Sequence, residues 1–173
     1  MHILEKKDEW LAEFRDNWLH HYQLTGETDW KLYRRPQNST SVSGPGIDLK
    51  SSRLLLISTA GGYMPGDQDP FDAADDLGDY TIRVIPTTTP LDKIAFAHDH
   101  YIHESILEDS QTLLPIGHLN ELVEEGEIGE VVPFFVSLMG YQPDVSRVVD
   151  ETIPEILEVA RSVGVEAALL VPA

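Results

Sequence analysis

The densest group of side chains able to do chemistry is His98-Asp99-His100-Tyr101-Ile102-His103-Glu104. In an extended segment His98 and His100 point to one face and Asp99 to the other. If the chain turns helical after His100, then His100, His103 and Glu104 share a face at i, i+3 and i+4. Imidazoles with a carboxylate suit zinc, iron, copper or nickel, and two histidines with one carboxylate make an open metal triad. His98, His100 and His103 are therefore candidate ligands for a transition metal, zinc or iron foremost. The alternative is a polar strand end carrying a hydrogen-bonded His pair. Asp109, following Glu108, either orients one of these imidazoles as an outer carboxylate or belongs to a solvated acidic face.

Three further constellations invite a chemical reading. Ser58-Thr59-Ala60-Gly61-Gly62 follows an apolar run, and its amides and hydroxyls can cradle an anion. Gly61, Gly62 and Gly66 make neither a dinucleotide fingerprint nor a P-loop, so no nucleotide is expected and close backbone packing is the stronger reading. Arg83 is a lone cation among acids. It either clamps a substrate carboxylate bidentately or pairs with an aspartate of the preceding loop. Asp67, Asp69, Asp72, Asp75, Asp76 and Asp79 share that loop without the Gly-plus-Glu layout of an EF-hand. A weak cation site and a solvated loop are the alternatives there, and the second is favoured. No Ser-His-Asp order and no paired-carboxylate spacing stands out.

The elements that must hold these groups follow from hydrophobic spacing. Leu4, Leu11, Phe14, Trp18 and Tyr22 recur at helical intervals, which predicts an amphipathic helix from Ile3 to about Leu24 with Thr25-Gly26 as its stop. Residues 26 to 52 are polar and rich in Ser, Gly and Pro, as a connecting arm is. The compact part is expected over 53–173, with 1–52 as helix and arm. Leu54 to Thr59, Tyr80 to Ile85, Ile94 to His98, Val131 to Leu138 and Val165 to Val171 read as strands. Ile116 to Glu125 reads as a helix closed by Gly126. Asp144 caps a second helix that runs to about Val163, with Gly164 as its stop and Pro154 as a kink or break inside it. Strands alternating with helices predict a three-layer α/β/α sandwich on a mostly parallel sheet. No internal repeat is present. In such sheets ligands sit beyond the carboxyl ends of the strands, here at Ser58 to Gly62, Ser137 to Gly140 and Val171 to Ala173.

Composition narrows the partners. Thirty acidic residues face 12 Lys and Arg, for a net charge of −18 over 173 residues. Such a field repels nucleic-acid phosphates and anionic membrane surfaces, so neither is an expected partner. There is no Cys, which excludes disulfides, thiolate metal sites and cysteine nucleophiles from this sequence. The first residues lack a signal-peptide core, and no apolar run is long enough to span a bilayer. A cytoplasmic location is the expectation.

Several stretches carry a family resemblance: Leu54 to Gly61, Gln68-Asp69-Pro70-Phe71-Asp72, Gly78-Asp79-Tyr80, Arg83-Val84-Ile85-Pro86, Ala97 to Gly129, Met139-Gly140-Tyr141 and Gly164 to Leu170. Their order and spacing resemble the selenoprotein B group, component B of the glycine, sarcosine, betaine and D-proline reductases, over roughly residues 53 to 173. His98, His100, Glu108 and Asp109 match that pattern and His103 does not. The resemblance implies catalytic or binding roles for His98, His100 and Asp109. It implies a pocket for a small amino-acid-derived substrate drawing on Ser58, Thr59, Gly61, Arg83, Tyr101 and Met139. The redox-active selenocysteine or cysteine of that group has no counterpart here. The implied function is a reductase-type subunit whose redox centre comes from a partner chain. The alternatives are a metal-dependent enzyme or subunit built on His98, His100 and His103, and a non-catalytic binding paralogue.

The assembly expected is a homo- or hetero-oligomer with a homologous subunit. The last strand ends at Val171-Pro172-Ala173, where a functional loop normally begins, and Trp10, Phe14 and Trp18 give the first helix an aromatic face of the interface type. Packing of that face on its own domain is the alternative.

Overall fold

The structure is a computed structural model, and it describes residues 4–40, 46–97 and 108–173. The N-terminal helix begins as α1 (Lys7–Phe14), passes through a π-helical stretch (Arg15–Leu19) and continues as α2 (His20–Thr25). Gly26, at φ 70°, ends it in the left-handed conformation that a stop signal favours. Leu11, Phe14 and Trp18 are buried. Trp18 stacks on Phe14 with 5.4 Å between ring centroids and on Tyr22 at 5.9 Å, while Trp30 lies against it at 5.5 Å.

Of the two readings of this helix, packing on its own chain holds for Phe14 and Trp18, which are covered inside the chain. The arm after the helix folds back along it. Trp10 Nε1 donates to Arg34 O at 2.7 Å, and the Glu5 carboxylate accepts from Ser39 N and Ser39 Oγ. Arg15 reaches Asp150 of the last helix at 2.9 Å.

Strand β1 (Arg53–Ser58) is the centre of the main sheet, and three of its six residues in sequence, Leu54 to Leu56, are buried. A strand with apolar residues to both faces suits a sheet covered on both sides. The other strands are β2 (Gly62–Tyr63), β3 (Arg83–Pro86), β4 (Ala95–Phe96), β5 (Glu130–Val131), β6 (Phe134–Ser137) and β7 (Ala167–Val171). β5 and β6 lie parallel to one side of β1, and β7 lies parallel to the other. Arg53 faces Glu130 while Ile57 faces Val136, so the partner runs two residues longer over the same span. The excess falls at Val132-Pro133, where a proline with no N–H to give interrupts the ladder. One expected strand, Val131 to Leu138, is thus split.

β3 is antiparallel to β6 and forms the far edge. It starts at Arg83 rather than at the expected Tyr80. Asp79 takes Thr81 N and the Thr81 hydroxyl, and Tyr80 O takes the Thr152 hydroxyl, so the groups a ladder would use are engaged elsewhere. The strand expected at Ile94 to His98 is also displaced. Its described part, β4, pairs antiparallel with β2 in a separate two-stranded sheet.

A helix covers each face of the main sheet. α3 (Ile116–Glu124) brings Ile116 and Leu119 onto Leu54, Leu56, Ile85 and Phe135. On the other face α4 (Val145–Arg147), a π-helical stretch (Val148–Thr152) and α5 (Ile153–Ser162) run on continuously, and Ile156, Val159 and Ala160 pack on Leu55, Val132 and Val136. The expected three-layer architecture is present. Asp144 caps α4 as expected, accepting from Ser146 N at 3.0 Å, and Gly164 stops the helix at φ 68°. Pro154 changes the winding of the helix without ending it. The π-helical stretch ends just before it, which is where the missing N–H and the ring's bulk must be accommodated. Among the described residues no helix is long and apolar enough to cross a membrane.

Candidate functional site

The carboxyl ends of β1, β6 and β7 meet at one side of the sheet. Thr59 N donates to Val171 O at 3.1 Å and Gly61 N to Leu138 O at 3.0 Å, while the Thr59 hydroxyl accepts from Ala173 N at 2.8 Å. Ala60 N donates to the Ser58 hydroxyl at 3.3 Å, and Ala60 and Met139 form a bridge. The amides of Thr59, Ala60 and Gly61 are therefore committed within the protein and are not open to an anion. Ser58 and Met139 are fully buried. These candidate residues form a packed floor rather than a cradle.

Gly62 shows how tight that floor is. A Cβ there would meet Ile94 Cγ2 at 3.2 Å and both Phe96 and the Ser137 hydroxyl at 3.4 Å. Ser137 is itself fully buried opposite Ser58 in the ladder, and its Oγ has no hydrogen-bond partner among the described residues. Sequence reasoning places Ser137 at a strand end, closing the apolar run Phe134-Phe135-Val136, but assigns it no role of its own. Gly61 O accepts from Ala97 N at 2.9 Å. Ala97 directly precedes His98 in the chain. His98, His100, Tyr101 and His103 lie outside the described residues, and among those described no group of acids and histidines could hold a metal ion.

Arg83 is placed at the edge strand with four of its five N–H donors engaged. It donates to Asp69 O at 3.0 Å, Pro70 O at 3.3 Å, the Thr81 hydroxyl at 2.7 Å and Ile82 O at 3.1 Å, and it lies 4.3 Å over the Phe71 ring. The expected partner was an aspartate carboxylate. Backbone carbonyls serve instead, because the aspartates spend their oxygens on turns. Asp72 accepts from Ala74 N, Asp75 from Leu77 N, and Asp79 from Asp72 N. Burial alone would raise Asp79, but hydrogen bonds from Thr81 and Asp72 and the nearby Arg83 charge outweigh it and hold the carboxyl below its ordinary range. Asp109 caps a short 3-10 turn (Ser110–Thr112), accepting from Gln111 N at 2.9 Å.

A second cluster, which sequence reasoning did not assemble, locks the acidic loop to the segment after β6. The buried Tyr80 hydroxyl accepts from Asp144 N at 2.7 Å, and Arg147 lies 4.0 Å over its ring. Burial pushes the Tyr80 phenol well above its ordinary value. Gln142 Nε2 donates to Asp79 O at 2.8 Å. Gly78 sits at φ 75°, and a Cβ there would fall 2.0 Å from Tyr141 O, so only glycine fits. Beside this lock, Trp30 and Tyr33 of the arm and Gly140 to Pro143 line an open cavity of about 220 Å³.

A family model for the glycine/sarcosine/betaine reductase selenoprotein B matches residues 27–173. The chain belongs to that family. It is also 31% identical over 123 residues to the D-proline reductase subunit gamma of Acetoanaerobium sticklandii, which covers 71% of this chain and 49% of the relative. The chain thus spans about half the length of the curated relative it matches. No solved structure matches it significantly. The selenoprotein B match begins at residue 27 and takes in the arm, earlier than the resemblance near residue 53 implied. Several stretches that carry the resemblance converge on the lock: Gln68 binds Met64 N and Val84 O, Phe71 carries Arg83, and Gly78-Asp79-Tyr80 meets Met139 to Asp144.

Proposed function

We propose that this chain is the substrate-binding subunit of a reductase-type enzyme acting on a small amino-acid-derived substrate, with the redox centre carried by a partner chain. Membership of the selenoprotein B family supports the reductase class. The observation that carries the reading is the hydrogen bond from Ala97 N to Gly61 O. It ties the residue before His98 to the carboxyl ends of β1 and β6, where α/β sheets bind ligands. His98 and His100 then act on the substrate as binding and acid–base groups, a role that suits imidazoles titrating near neutrality. In a reductive C–N cleavage the nitrogen that leaves must gain a proton, and a histidine can deliver it. A chalcogen nucleophile must attack the carbon, and this sequence holds no cysteine to do so. That nucleophile, and the dithiol that regenerates it, come from outside the chain.

The test is reconstitution with a partner polypeptide that carries the cysteine or selenocysteine. Dithiol-dependent reduction of glycine, sarcosine, betaine or D-proline is measured for wild type and for His98→Asn and His100→Asn. Loss of a general acid lowers kcat by about 10²–10⁴-fold. Full activity in both variants would contradict the assignment of His98 and His100.

A further inference from the structure

The inference concerns the free edge of β7 and stands independently of the catalytic reading. Ala167-Ala168-Leu169-Leu170-Val171 has the composition of an interior strand: uncharged, without proline and without a bulge. Exposed edges of sheets are normally blunted by charge, proline or bulges. Yet β7 pairs only with β1 among the described residues, and Leu169 and Leu170 are 37% and 60% exposed. The two leucines point to opposite faces; the face of Ala167 and Val171 packs partly on the core, and the face of Leu170 is the more open one. Ile153 and Leu157 of α5 are exposed too.

Backbone directions define what the edge offers. Thr59 N donates to Val171 O, so Val171, Leu169 and Ala167 aim their polar groups at β1. Alternation leaves the N–H and C=O groups of Ala168 and Leu170 aimed at the open side. We propose that a second copy of this chain pairs antiparallel along that edge, on a two-fold axis through Leu169. This register sets Ala168 opposite Leu170 and Ala167 opposite Val171, small against large on each face. It joins the four free polar groups of each copy to those of the other. Registers centred one residue to either side fail, since one brings Pro172, which has no N–H, opposite Ala168 and the other brings Glu166 opposite Leu170.

Charge favours the same place. Two chains of net charge −18 repel each other. The side chains of residues 167–173 are all uncharged, and Glu166 faces Pro172 in this register, so no like-charged side chains are set opposite. An isologous contact of this kind closes as a dimer.

The sequence contains no cysteine, so single-cysteine variants report the register directly. Residues opposite on the axis as a non-hydrogen-bonded pair lie about 4.5 Å apart between Cα atoms, within disulfide reach. Leu169→Cys should therefore cross-link to itself on oxidation. Ala168→Cys should not, because the two copies of that residue are diagonal neighbours at about 7–8 Å. Light scattering should give the wild type twice the 19.4 kDa chain mass and give Leu170→Lys the monomer mass. Circular dichroism confirms that each variant is folded. Three results would overturn the proposal: a monomeric wild type at its highest soluble concentration, cross-linking at Ala168→Cys as readily as at Leu169→Cys, or a dimer unchanged by Leu170→Lys. A wild type that associates only with a different polypeptide would also overturn it, in favour of a foreign strand on the same edge.

Discussion

The two edges of the main sheet are finished in opposite ways. Along β3, the loop from Met64 to Asp79 lies over the strand: Gln68 Nε2 donates to the outward Val84 O, Arg83 binds the loop's carbonyls, and Pro86 removes a donor. Along β7 nothing comparable occurs among the described residues, and apolar side chains stand in solvent. The closed edge is made by hydrogen bonds from Gln68 and Arg83, which hold the loop to the strand. The open edge and the strand ends beside it are where the proposed partner copy and substrate would bind.

That contrast is broken most severely by attacking the lock. Gly78→Ala forces a Cβ against Tyr141 O at a positive φ and should cost about 3 kcal/mol or more through strain and overpacking. Urea unfolding measures it, and a loss under about 1 kcal/mol would show the lock to be loose. Asp144→Ala removes the cap of α4 from a buried position and should cost about 1–2 kcal/mol in the same assay. Tyr80→Phe leaves Asp144 N without its acceptor and should cost about 1–2 kcal/mol.

Acid sharpens the comparison. The folded Asp79 carboxyl titrates below its unfolded value, so its stabilisation is fully present above the unfolded pKa and is lost as pH falls through the folded pKa. The stability gap between wild type and Asp79→Asn should therefore narrow on acidification below about pH 4. A gap constant with pH would contradict the role given to its charge. The smallest effect is expected at the surface pair Arg147–Glu151, 2.8 Å apart and well solvated, where Glu151→Ala should change stability by less than about 1 kcal/mol.

Much of the layering was legible because it rests on periodicity and punctuation. Asp144, Gly126 and Gly164 mark helix ends by chemistry that acts within a few residues. The misread elements depend on partners far away in sequence. Tyr80 looks like a strand residue until Thr152 and Asp144, more than sixty positions later, claim its oxygens. The aromatic face of the first helix leaves interface and self-packing both open until Trp30 is seen to cover Trp18. Among the site residues, Ser58 and Gly61 were found at strand ends by a general rule, but their buried, committed state depends on neighbours across the sheet. Ser137 was placed at a strand end by the same rule, but its buried, unpaired hydroxyl depends on neighbours across the sheet and carries no local signal.

The central claim is that this chain binds substrate while the redox chemistry resides elsewhere. The most direct measurement is dithiol-dependent turnover of glycine, sarcosine, betaine and D-proline by the purified chain, first alone and then with a partner polypeptide bearing cysteine or selenocysteine. The account predicts no turnover alone, because the sequence has no cysteine, and turnover of one of these substrates on addition of the partner. Turnover by the chain alone would contradict it.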